Sequence, residues 1–65
     1  MYFVIRVENG DCYVNEDLLQ NDPDGEYLVE KDAATAYSLD EALKTVETIM
    51  LLDGDCTSEI TLEKI

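Results

Sequence analysis

A chain of 65 residues has room for one domain, and at that length folding buries only about 60% of the surface the unfolded chain exposes. Sixteen Asp and Glu against four Lys and Arg give a formal net charge of -12, which excludes direct binding to nucleic-acid phosphates or anionic lipid, both met through Lys and Arg. The hydrophobic content of 46% falls in patterned clusters, which excludes a disordered chain.

Tyr2 to Glu8 and Cys12 to Glu16 read as two strands joined by Asn9-Gly10, the dipeptide that best tolerates the positive φ angles of a tight hairpin turn. A two-residue turn there sets Glu8 opposite Asp11, Val7 opposite Cys12, Arg6 opposite Tyr13 and Ile5 opposite Val14. Side chains alternate along a strand, so Phe3, Ile5, Val7, Cys12 and Val14 share the expected core face. Tyr2, Val4, Arg6, Glu8, Asp11, Tyr13 and Asn15 share the other, which is mixed in character.

Asp17 to Gly25 ends in the turn-forming run Asn21-Asp22-Pro23-Asp24-Gly25 and reads as a loop. Glu26 to Glu30 reads as a third strand, and Lys31 to Tyr37 leads into a helix over Ser38 to Asp55. In that helix Leu39, Ala42, Leu43, Val46, Ile49 and Met50 recur at three- and four-residue steps, a stripe expected to pack on the sheet. Ser38 with Glu41 forms a capping box, Asp40 and Glu41 lie where the helix dipole favours anions, and Gly54 supplies a stop. Ser58 to Ile65 alternates as a fourth strand, with Ile60 and Leu62 on one side and Glu59, Thr61 and Glu63 on the other. The fold class expected is therefore α+β: a small antiparallel or mixed sheet of about four strands in the order ββ-β-α-β, with one helix packed on one face. A parallel third and fourth strand would require a right-handed crossover; the pattern alone leaves strand order open.

The residues that usually carry catalysis are missing from this sequence. It has no histidine, no glycine-rich phosphate loop, and no serine or cysteine in a recognisable nucleophile setting, so a non-enzymatic protein without a cofactor is expected. Asp22-Pro23-Asp24-Gly25-Glu26 has the look of a calcium loop, but aligning it with the EF-hand pattern puts Gln20 first and Lys31 twelfth. It reads as a solvated turn, and no metal is expected. Cys12 and Cys56 lack a metal-binding spacing; a disulfide between them is open, and the preferred reading is two small apolar residues. Tyr2 to Val7 is too short for a secretory signal, and no stretch is long enough to span a membrane, which points to the cytoplasm.

The charge is the sharper clue to function. Alternate residues on a strand are about 6.6 Å apart, a step close to that of successive phosphates, so Glu59 and Glu63, with Thr61 between them, set carboxylates along a line about two such steps apart that neighbouring strands can extend. Such a surface would be met by the Lys and Arg of a basic, nucleic-acid-binding protein, and the chain would act as a DNA mimic. The expected contact residues are Glu8 and Asp11 at the hairpin tip, Asp22, Asp24 and Glu26 in the loop, and Glu59 and Glu63 on the last strand. An alternative assigns the charge to solubility alone and contact to apolar residues. Tyr2, Val4 and Tyr13 lie on the sheet face away from the helix, and Leu51 and Leu52 lie about 120° or more from the main helical stripe. Buried against a second copy, these would make a homodimer.

The short acidic chain, its hairpin-loop-strand opening, and the run Asp32-Ala33-Ala34-Thr35-Ala36-Tyr37-Ser38-Leu39-Asp40-Glu41-Ala42 entering an amphipathic helix resemble the small acidic early proteins of bacteriophages. The resemblance covers about half the chain. It implies a DNA mimic or direct inhibitor of a host factor acting in the host cytoplasm, of the kind aimed at nucleoid proteins, polymerase, glycosylases, restriction enzymes or CRISPR effectors. It brings no family binding motif, so no residue role is carried over from it.

Overall fold

The computed structural model describes residues 1–7, 12–22, 26–52 and 60–65. Strand β1 runs Phe3–Val7 and pairs antiparallel with β2, Tyr13–Val14, with Arg6 opposite Tyr13, the register expected from the sequence. The backbone N–H of Val7 donates to the Cys12 carbonyl at 2.7 Å, so the hairpin register carries down to Cys12; residues 8–11, where the turn is expected, lie outside the described residues.

After β2 the chain does what the sequence reading did not expect. Glu16–Asn21 form a helix, α1, in the stretch read as strand end and loop. The side chain of Asn15 caps it, with Oδ1 accepting from the Leu18 N–H at 3.1 Å, and Glu16 and Asp17 fill the first turn where the helix dipole favours carboxylates. Leu19 points into the core. These are recognisable helix-start signals, outweighed in the sequence by the alternation Tyr13-Val14-Asn15 and by the turn-rich run that follows.

Strand β3, Leu28–Val29, pairs antiparallel with β2, and a single 3-10 turn, Lys31–Ala33, follows it. The chain then crosses back to β1, where Tyr37 and Phe3 exchange two backbone hydrogen bonds of 2.8 Å. Helix α2, Leu39–Leu52, starts at once beyond this bridge. One half of its expected capping box is seen, Ser38 Oγ accepting from the Glu41 N–H at 3.4 Å, while the Glu41 carboxylate accepts from the Ser38 hydroxyl at 2.9 Å. Strand β4, Ile60–Lys64, closes the sheet by pairing antiparallel with β1 over its whole length, from Phe3 opposite Lys64 to Val7 opposite Ile60.

The sheet is four-stranded and antiparallel throughout, in the order β3-β2-β1-β4, with β3 and β4 at opposite edges. The fold is thus a small α+β one with a main helix against the central strand β1. Period-two alternation puts Ile5, Val7, Val14, Leu28, Ile60 and Leu62 on the helix side, where they meet Leu19, Tyr37, Ala42 and Ile49 in one core. The stripe of α2 is narrower than expected. Ala42 and Ile49 are fully buried and Val46 packs on the core from its edge, whereas Leu39, Leu43 and Met50 stand exposed.

Candidate interaction surface

Three surfaces carry the side chains singled out above. On the sheet face away from α2, the register aligns Val4 with Glu63 and Arg6 with Tyr13. Arg6 and Lys31 both pair with Glu63, at 3.0 and 3.4 Å, and the Tyr13 hydroxyl donates to both of its carboxylate oxygens at 3.2 Å. The Lys31 ammonium sits 6.0 Å from the centre of the Tyr13 ring, within reach of a cation–π attraction. The Arg6 hydrogen bond, with Lys31 and Tyr13 behind it, holds the Glu63 carboxyl below its ordinary pKa against a weaker opposing effect of burial. Burial and the adjacent Glu63 push the Tyr13 phenol up.

This cluster changes what the sheet face offers. Two of the four basic side chains of the chain gather on Glu63, one of the acids expected to meet a partner, so its charge is answered internally. Val4 and Tyr13, expected as apolar contacts, are only 3% and 5% exposed. The reason is nonlocal. The pairing of β4 with β1 and of β3 with β2 surrounds both residues with neighbouring strands, and the Arg6–Glu63–Lys31 cluster gathers beside the Tyr13 ring.

The second surface is a groove between the two helices, organised on Glu16. Its Oε1 accepts from the Tyr37 hydroxyl at 2.8 Å and the Thr45 hydroxyl at 3.4 Å, its Oε2 from Gln20 Nε2 at 2.7 Å, and its backbone N–H donates to Thr35 Oγ1 at 2.8 Å. Burial and the hydrogen bond to Glu16 push the Tyr37 phenol well above the ordinary tyrosine value. Open hollows of about 270 and 450 Å³ lie on either side, the second walled by Leu19, Thr48 and Leu52. Sequence reasoning missed Glu16 because it assigned the residue to a strand end. Its signal was the Asn15 cap followed by two acids.

The third surface is the exposed acidic and apolar exterior. Asp22, the residue that caps the end of α1, and Glu26, just before β3, are both exposed on either side of residues 23–25. Glu26 precedes one edge strand and Glu63 sits on the other, three inter-strand steps or roughly 14 Å apart across the sheet. The two do not form one row. Glu8, Asp11, Asp24 and Glu59 lie outside the described residues. Of the expected apolar contacts, Tyr2, Leu51 and Leu52 are exposed. Cys12 is a free, partly exposed thiol, while Cys56 lies outside the described residues.

Among the described residues no three His, Cys, Asp or Glu side chains converge as a metal site, and no helix is long and apolar enough to cross a membrane. Comparison with family models, curated proteins and solved structures finds no match to this chain.

Proposed function

We propose that this chain is a non-enzymatic acidic binding protein of the cytoplasm that inhibits or regulates a basic nucleic-acid-binding protein, its carboxylates standing in for phosphates. The observation that carries this reading is where the acids lie. Among the described residues only Glu63 is in an ion pair, while Asp17, Asp22, Glu26, Glu30, Asp32, Asp40 and Glu47 are all exposed with no basic partner. Solubility in a small domain needs a net charge of only about 2 to 8 in magnitude, and this chain carries -12. The surplus raises the rate at which a basic partner is met and makes the contact salt-dependent.

With Glu63 occupied by Arg6 and Lys31, the contact belongs to the helix ends and connections and not to the middle of the sheet. A pull-down from lysate at low and high salt, with duplex DNA added as competitor, tests the proposal. Basic nucleic-acid-binding proteins should be captured at low salt, released by DNA, and lost from the Asp22→Lys, Glu26→Lys variant. Capture indifferent to salt, to DNA and to these reversals would sink it. The alternative, an interaction module whose charge serves only solubility, draws support from the exposed apolar residues of α2 and not from the sheet face.

A further inference from the structure

The side of α2 that faces the sheet is not its only apolar side. Ala42 and Ile49 are fully buried, whereas Leu39, Leu43 and Met50 are 49%, 53% and 42% exposed. At about 100° per residue these three fall within roughly 40° of one another, and with Val46 they recur at steps of four, three and four. That is the spacing by which one helix presents a seam to another. From Leu39 to Met50 the seam runs about 16 Å. The opposite flank of α2 faces α1 across the open groove that Thr45, Thr48 and Leu52 line with Glu16, Leu19 and Gln20.

Charge narrows what covers the seam. Asp40 and Glu47 lie beside it, about 40° to 60° beyond Leu43, both exposed and without an ion pair among the described residues. Lys44 is the one basic residue of α2, against Asp40, Glu41 and Glu47. A second copy would bring the same acids to the same place and a further charge of -12, which opposes self-association. An amphipathic helix with an apolar ridge flanked by Lys or Arg satisfies both features at once. We propose that the Leu39–Leu43–Val46–Met50 seam docks a basic amphipathic helix of the partner. This rests on the basic-partner reading and deepens it: the surface charge speeds encounter, and burial at the seam fixes register and resists salt.

Two synthetic Leu/Lys peptides of equal length and composition, one with leucines at helical spacing and one scrambled, separate the possibilities by titration calorimetry. The patterned peptide should bind at low and high salt, the scrambled one only at low salt. The Leu43→Gln, Met50→Gln variant should bind the patterned peptide at least about tenfold more weakly, with an unchanged circular-dichroism melt. Equal binding of the two peptides, or an unaltered affinity in the variant, overturns docking at the seam while leaving charge-driven binding intact. Failure of both peptides at low salt overturns the basic-partner reading itself. Sedimentation showing a dimer that Leu43→Gln dissociates would make a second copy the occupant and overturn the proposal.

Discussion

The hydroxyl of Tyr37 donates a 2.8 Å hydrogen bond to Oε1 of Glu16, so the residue that bridges back to β1 also holds the first turn of α1. This one contact ties the connection before α2 to the helix the sequence concealed. Hydrogen bonds to a charged acceptor are worth about 1.5–3 kcal/mol, and Tyr37 is buried. Tyr37→Phe should therefore lower unfolding free energy by about 1–2 kcal/mol in urea titrations, with Glu16 keeping its Gln20 and Thr45 donors. A midpoint equal to wild type would show that Tyr37 acts through packing alone.

The same tyrosine sets an alkaline limit. Its folded pKa is raised by burial first, then by its hydrogen bond to Glu16 and by the carboxylate charge, so the unfolded chain loses this proton first as pH rises. The stabilisation is whole below the unfolded value of about 10 and is lost as pH climbs from there toward the folded value. Urea midpoints should fall above that pH in wild type and fall less in Tyr37→Phe. Parallel curves for the two proteins would contradict the assignment.

Glu63 sets the opposite limit. Its folded pKa is lowered chiefly by the Arg6 hydrogen bond, so its contribution is present above the unfolded value of 4.5 and fades as pH falls through the folded one. In an NMR titration the Glu63 carboxyl midpoint should rise in Arg6→Met, and Glu63→Gln should flatten the acid limb of the stability profile. A Glu63 midpoint indifferent to Arg6→Met would mean the pair seen at 3.0 Å does not hold in solution.

Along α2, two apolar residues six positions apart should behave differently. Ile49→Ala removes a fully buried side chain and should cost about 2–4 kcal/mol, a large part of the stability of so small a domain. Leu43→Ala, on the exposed seam, should stay within about 0.5 kcal/mol. Equal losses in denaturant titrations would place Leu43 in the core. Ser38→Ala should cost about 1 kcal/mol through loss of the side-chain cap on the Glu41 N–H, with Ser38→Asp restoring most of it.

What was legible in the sequence was what depends on neighbours in the chain. Asn9-Gly10 with period-two alternation determined the register of Arg6 opposite Tyr13, and a 3.6-residue period with Ser38 and Glu41 determined α2 and its start. The charge of -12 is likewise a property of the sequence alone. Tertiary structure decided the rest, because distant segments compete for one surface. Pairing of β4 with β1 brought Glu63 to Arg6, Tyr13 and Lys31, turning an expected contact residue into an internally paired one. Burial of Val4 and Tyr13 followed from strands on either side of them. The six residues of the expected α2 stripe span an arc of about 120°, wider than the sheet covers, so where α2 rests against β1 decided that Ala42 and Ile49 go in while Leu39, Leu43 and Met50 stay out.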